Sequence, residues 1–173
     1  LISATDQHKF RSGVGMLLYL VKHSRLDIAN AVRELSKVAD GANASHWKAL
    51  LRTIKYVICT ENLALRLKPN TKLQGAQFHL SGITDSDYAG DRDTRTSVYG
   101  YIIYFLGAPI AWKSKAGKSV TLSSTEAEYL ALSEVTKEII FVKQVLEDIG
   151  IPLEYPIEIK VDKIGAMFLA NNH

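Results

Sequence analysis

The first 60 residues place apolar side chains at the spacing of an α-helix. Three successive runs repeat apolar positions every three or four residues, and short polar segments separate them. The runs are Phe10, Val14, Leu17, Leu18 and Val21; then Ile28, Val32, Leu35 and Ala39; then Trp47, Leu50, Leu51, Ile54, Val57 and Ile58. This periodicity predicts three amphipathic helices. Asp27 is a candidate N-cap for the second helix, and Asn43 or Ser45 for the third.

The helical period is lost between residues 61 and 79. The letters LALRL alternate apolar and polar residues, KPNTK has the composition of a turn, and FHL follows. We predict a hairpin or linker over 61–79. It separates a helical unit at 1–60 from a second domain at 80–173.

Three β-rich runs open the second domain: HLSGITDSDYAG, SVYGYIIYFL and APIAWKSK, with a hairpin expected at Gly107. A long helix is predicted over about 124–149, because Gly150 and Pro152 follow it. The letters IEIKVD alternate as a fourth strand, and IGAMFLANN predicts a short helix. This order of elements predicts an α+β fold, in which helices pack on a mixed sheet.

The long helix carries a carboxylate on its apolar stripe. The stripe is formed by Leu132, Val135, Ile139, Val142, Leu146 and Ile149. Glu128 lies four residues before Leu132, on the same side of the helix. A buried carboxylate is costly unless it is protonated, paired or bound to a metal. Capping is an alternative, because Ser123 with Glu126, or Thr125 with Glu128, has the spacing of a capping box. Capping accounts for Glu126, whereas both interpretations stay open for Glu128.

Two further segments carry carboxylates at strand ends. Asp85 and Asp87 lie two apart on a β-rich run and so on one face, and Asp162 closes the strand IEIKVD. Each aspartate alone has a simpler explanation as a turn or strand-end residue. Asp85, Glu128 and Asp162 together predict a site for a hard divalent cation such as Mg²⁺. A pair of such ions about 4 Å apart activates a water and stabilises the leaving oxygen of a phosphodiester.

Charge and composition narrow the function classes. Residues 1–79 hold 12 Lys or Arg against 5 Asp or Glu, and residues 80–173 hold 9 against 13. The basic half suggests a polyanionic partner, although two solvated surfaces of different sign would look the same.

Cys59 is the single cysteine, and no run approaches the roughly 18 apolar residues of a membrane span. We expect an intracellular protein without a membrane partner, and we find no catalytic triad, phosphate loop or polymerase Y-x-D-D motif.

The stretch SDYAGDRDTRTSVYGYIIYFLGAPIAWKSKAGKSVTLSSTEAEYLALSE resembles the ribonuclease H domain of copia-type retrotransposon polyproteins. That family has D-x-D-(W/Y)-A-G-D, a G-Y strand, W-K-S-K and L-S-S-T-E-A-E-Y in this order. The segments FRSGVGMLLYLVKHSRLDIANAVRELSK and ASHWKALLRTIKYV resemble the thumb or connection helices of the same polyproteins. The resemblance implies a thumb/connection-like segment and then a ribonuclease H-like domain. Because the family continues beyond LANNH, it also implies that the last strand and helix are lacking.

The resemblance also implies a function. Asp85, Glu128 and Asp162 would hold two Mg²⁺ ions, or Mn²⁺ as a substitute, for hydrolysis of the RNA strand of an RNA–DNA hybrid, and Asp87 is a reserve ligand. Lys163 replaces a common Asn, and a fourth carboxylate is lacking, so we expect weak activity or none in this chain alone. The alternative is a non-catalytic nucleic-acid-binding or structural module derived from such a polyprotein.

Basic residues near the predicted site suggest how the hybrid would be held. Lys113, Lys115 and Lys118 near Trp112, with Arg92 and Arg95 in the preceding turn, are candidate phosphate contacts, although a solvated hairpin explains the lysines equally well. The resemblance implies the remaining reverse transcriptase domains of the polyprotein as further partners. It also implies a cytoplasmic location in a virus-like particle and leaves a nuclear phase open.

Overall fold

The structure is a computed structural model that describes residues 1–69, 77–91 and 93–162. The chain divides into two compact units, Leu1–Leu65 and Arg66–His173, and this division falls inside the predicted linker. The predicted helix IGAMFLANN and Lys163 lie outside the described residues. Within the described ranges, no helix has both the length and the apolar character needed to cross a membrane.

The first unit is helical, as its periodicity predicts. Helix α1 spans Ala4–His23, a 3₁₀ turn spans Leu26–Ile28, α2 spans Ala29–Lys37 and α3 spans Ala44–Cys59. The core contains Phe10, Val14, Leu17, Ile28, Val32, Leu35, Ala42 and Leu50. Leu18, Leu51 and Ile58 were predicted on the buried stripe but are 46%, 49% and 63% exposed. Each lies at the edge of a stripe that is too wide for one contact surface.

The helix caps confirm one prediction and correct another. Asn43 caps α3, because its side chain accepts the backbone N–H groups of Ser45 and His46. Asp27 caps no helix. Its carboxylate instead accepts two hydrogen bonds from the buried Arg25 guanidinium, at 3.0 and 2.9 Å, and these lower the pKa of Asp27. A nearby cation has therefore replaced the helix N-terminus as the partner of this carboxylate.

The second unit contains a four-stranded mixed sheet, which confirms the predicted α+β class. Its strands are β1 (Leu80–Asp87), β2 (Val98–Phe105), β3 (Ala108–Ala116) and β4 (Glu158–Lys160), in the spatial order β3-β2-β1-β4. Strands β1, β2 and β3 are antiparallel neighbours, and β4 runs parallel to β1. Leu106 and Gly107 both have positive φ, as the tight β2–β3 hairpin requires. Residues 63–67, which alternate in sequence, form no strand.

One long helix, α4 (Ser124–Asp148), covers one face of the sheet. Val135 and Ile139 on its apolar stripe are buried against the sheet, whereas Ile149 is 66% exposed. The Ser123 side chain accepts the Glu126 N–H, and the Glu126 carboxylate accepts the Leu122 N–H. Glu126 therefore takes part in the cap as predicted, although its carboxylate accepts the N–H of Leu122 and not that of Ser123, which a capping box would require.

Candidate metal centre

Two of the three predicted ligands lie at the carboxyl ends of neighbouring parallel strands. Asp85 lies on β1, and Asp162 follows β4 by two residues. The register pairs Ile83 with Lys160, and the same offset continued by two residues places Asp162 level with Asp85. Because parallel strands end at the same edge of a sheet, these carboxylates come together there.

Helix α4 supplies the third carboxylate. Glu128 lies one turn into the helix and is fully buried, whereas Asp85 and Asp162 are exposed. One carboxylate oxygen from each of the three residues lies within 4.8 Å of the others. In the part of the chain that the structure describes, this is the one such group of three or more acidic, histidine or cysteine side chains. The structure thus brings together the three residues that the sequence predicts.

Ser86 holds two of these carboxylates, and the sequence patterns did not identify it. Its hydroxyl donates to Oε1 of Glu128 at 2.8 Å, and its backbone N–H donates to Oδ1 of Asp85 at 2.8 Å. Ser86 is 9% exposed, because alternation along β1 turns it towards α4 while Asp85 and Asp87 stay exposed. A small hydroxyl residue between two alternating acids is the only signal that the sequence offers.

The donor set fits a hard divalent cation. Three carboxylates this close repel one another, and a bound cation offsets that repulsion. All three donors are oxygen atoms, which Mg²⁺ and Mn²⁺ prefer, and the group includes no thiolate or imidazole that would favour a softer metal. The exposure of Asp85 and Asp162 leaves the group open to solvent on one side.

Asp87, the reserve ligand, is not part of this group. Its carboxylate lies over Gly90, where a Cβ atom would stand 2.2 Å from Oδ2 of Asp87. Its carbonyl also accepts the Gly90 N–H at 3.3 Å. Asp87 therefore packs against the turn that follows β1, and a side chain at position 90 would displace its carboxylate.

The predicted phosphate contacts differ in their surroundings. Lys115 forms an ion pair with Glu134 of α4 at 2.8 Å, which lowers the pKa of Glu134. Lys113 alternates with Lys115 and so lies on the same face of the sheet, where it is exposed. Lys118 and Arg95 are also exposed, and Arg92 lies outside the described residues. The ion pair gives Lys115 a structural role that the sequence did not predict.

Known proteins match most of this chain. It is 38% identical over 168 residues to the retrovirus-related Pol polyprotein from transposon RE1 of Arabidopsis thaliana. The matched region covers 97% of this chain and 11% of that protein. It is 39% identical over 142 residues to the Pol polyprotein from transposon TNT 1-94 of Nicotiana tabacum, covering 82% of this chain and 10% of that protein. The chain therefore spans about a tenth of the length of these Pol polyproteins.

A shorter relative is matched over most of its own length. The chain is 39% identical over 132 residues to secreted RxLR effector protein 161 of Plasmopara viticola, covering 76% of this chain and 89% of that protein. No family model matches the chain. No solved structure matches it either.

Proposed function

Because the chain belongs to the retrovirus-related Pol polyproteins of copia-type transposons, we propose that its second unit hydrolyses the RNA strand of an RNA–DNA hybrid. The observation that carries the proposal is the convergence of Asp85, Glu128 and Asp162 within 4.8 Å. The resemblance of the sequence implies that these positions match the metal ligands of ribonuclease H domains. Three separated segments of the chain meet there, which capping and turn formation alone do not require.

The three carboxylates of the proposed site comprise one buried ligand and two exposed ones. Asp85, Glu128 and Asp162 would hold Mg²⁺, which when bound activates a water and stabilises the leaving oxygen. Glu128 is buried and hydrogen-bonded, so it provides a ligand with a fixed orientation. Asp85 and Asp162 are exposed, and the phosphodiester would approach from their side. Discrimination of the hybrid would depend on groove shape and on the 2′-hydroxyl, not on base edges.

Metal binding should stabilise the second unit. A ligand that binds only the folded state at a hundred times its Kd adds about 2.7 kcal/mol to the free energy of unfolding. We therefore expect Mg²⁺ or Mn²⁺ to raise the unfolding temperature of the wild type in scanning calorimetry. Sodium chloride at equal ionic strength is the control, and Asp162→Asn should lose most of the rise. An equal rise with sodium, or in Asp162→Asn, would count against the site.

A second candidate function is nucleic-acid binding without catalysis, and α3 is the observation that favours it. This helix carries Lys48, Arg52 and Lys55 and contains no acidic residue. All three cations are exposed, and none forms an ion pair within the described residues. Four other cations of the same unit do pair with carboxylates. Lys48, Arg52 and Lys55 are spaced by four and three residues, so they lie along one side of α3, where phosphates would neutralise them.

The salt dependence of hybrid binding tests this helix. Replacing Lys48, Arg52 and Lys55 together by Gln should weaken hybrid binding. The slope of log affinity against log salt concentration should also become less steep, by up to about 0.9 for each phosphate that the variant no longer neutralises. Fluorescence anisotropy over a range of salt concentrations measures both quantities. Arg11→Gln is a matched control for Arg52→Gln, because Arg11 already pairs with Asp40. If Arg52→Gln and Arg11→Gln give equal slopes of log affinity against log salt concentration, α3 does not carry a phosphate-binding surface.

A further inference from the structure

Ser86 is the side chain that links the sheet to the buried carboxylate. It faces Tyr99 across the β1–β2 pair, and Tyr99 packs with Ala127 and Ala131 of α4. Beside this cluster, the Ser86 hydroxyl donates to Oε1 of Glu128 at 2.8 Å. The backbone N–H of the same residue reaches Asp85. One residue thus contacts carboxylates from two different elements.

We propose that Ser86 is a positioning residue for the divalent metal, an inference that rests on the proposed function of the carboxylate group. Its hydroxyl fixes the orientation of the Glu128 carboxylate, and its backbone N–H fixes that of Asp85. Residues that orient metal ligands in this way change metal affinity strongly even though they do not touch the ion. Ser86 therefore sets how tightly the chain holds its metal.

The chemistry of the contact supports this role. A hydroxyl that donates to a carboxylate forms a charge-assisted hydrogen bond, which is stronger than a neutral one. Glu128 is fully buried and Ser86 is 9% exposed, so bulk water competes little for this bond. A glutamate side chain has several rotatable bonds, and a bond to a rigid strand removes part of that freedom before a metal binds. The Glu128 carboxylate therefore has its metal-binding orientation before the metal binds.

A neighbouring hydroxyl shows that burial alone does not give this contact. Thr84 is 2% exposed and lies two residues earlier on the same side of β1. Its hydroxyl donates to the backbone carbonyl of Gly100 at 3.0 Å, across to β2. Of these two inward hydroxyls, Ser86 contacts a proposed ligand and Thr84 contacts the backbone. Thr84 therefore provides a matched control for a purely structural role.

The experiment measures Mn²⁺ affinity by electron paramagnetic resonance on the full chain, without any substrate. Ser86→Ala should weaken Mn²⁺ binding by about 10- to 100-fold. Ser86→Cys fills the site with a slightly larger side chain that is only a weak donor, so it should also lose affinity. It serves as the second variant if Ser86→Ala does not fold. Ser86→Thr keeps the hydroxyl and should restore most of the affinity. Thr84→Val removes a buried hydroxyl and should leave Mn²⁺ affinity near that of the wild type.

The possible outcomes separate this inference from the proposed function. If Glu128→Gln loses Mn²⁺ while Ser86→Ala and Ser86→Cys bind it like the wild type, the positioning role is wrong and the metal centre stands. If Thr84→Val weakens Mn²⁺ binding as much as Ser86→Ala, loss of any buried hydroxyl explains the effect and the positioning role is again wrong. If the wild type and Glu128→Gln bind Mn²⁺ equally, the metal centre fails and the inference fails with it.

Discussion

Glu128→Gln should lower the rate of hybrid cleavage by at least about a hundredfold while the second unit remains folded. Replacing a residue that only orients a metal ligand already costs about 10- to 100-fold, so loss of a ligand charge should cost no less. Gln preserves the shape of the side chain and can still accept the hydrogen bond from Ser86. Single-turnover cleavage of a labelled hybrid measures the rate, and circular dichroism reports folding.

The same helix provides a matched control. Glu126 lies two residues earlier, accepts the Leu122 N–H and is not part of the carboxylate group. Glu126→Gln makes the same chemical change and keeps an acceptor for the cap, so its cleavage rate should stay near that of the wild type. Equal losses in the two variants would mean that general damage to α4, not loss of a ligand, explains the result.

Gly82→Ala should lower the free energy of unfolding of the second unit by about 1–3 kcal/mol, the usual cost of overfilling a packed core. A Cβ atom at Gly82 would lie 2.7 Å from Cδ1 of Ile139 and 3.2 Å from Cγ2 of Val135. To relieve this contact, either the end of the Ile139 side chain would have to turn within a packed core or α4 would have to move away from β1. Hydrogen exchange of the β1 amides measures the loss, because it reports on this unit alone.

Gly100 in β2 is the control for this change. A Cβ atom there would meet only the Lys113 carbonyl oxygen, at 3.9 Å, which is an ordinary contact. Gly100→Ala should therefore leave stability unchanged or raise it slightly, because alanine restricts the unfolded chain. If both variants are equally destabilised, the close approach of α4 to β1 does not explain the glycine at position 82.

The main features of the candidate site follow from local patterns. Glu128 stands on a helical stripe of known direction, and Asp162 ends an alternating strand, so each could be placed from its own segment. Their meeting required β4 to lie beside β1 and parallel to it. A helix joins β3 to β4, and β3 runs in the same direction as β1, so the order of elements favours the direction of β4 but does not fix its neighbour. The regular β4 is three residues long, and Asp162 lies beyond its end, so the strand boundary was the less predictable part.

Other features depend on contacts between distant segments and could not be predicted. Asp27 has the composition and position of an N-cap, yet Arg25 and the Tyr56 hydroxyl bind its carboxylate. Lys115 has the appearance of a solvated hairpin residue, yet Glu134 of α4 lies 2.8 Å away. Ser86 belongs to the same class, because its importance comes from a residue 42 positions later in the chain. The periodicity of apolar residues indicates which face of a helix or strand is buried, but it does not identify the side chain from a distant segment that contacts that face.

The most direct measurement follows the two strands of an RNA–DNA hybrid, each with its own label, during incubation with the wild-type chain. We expect the RNA to be shortened slowly in Mg²⁺ or Mn²⁺, the DNA to stay intact, and a chelator to stop the reaction. Single-stranded RNA should remain uncut, because recognition depends on the shape of the hybrid. Cleavage that continues in chelator, or cleavage of the DNA strand, would contradict a metal-dependent ribonuclease H site, and no cleavage with either ion would favour the alternative of a non-catalytic binding module.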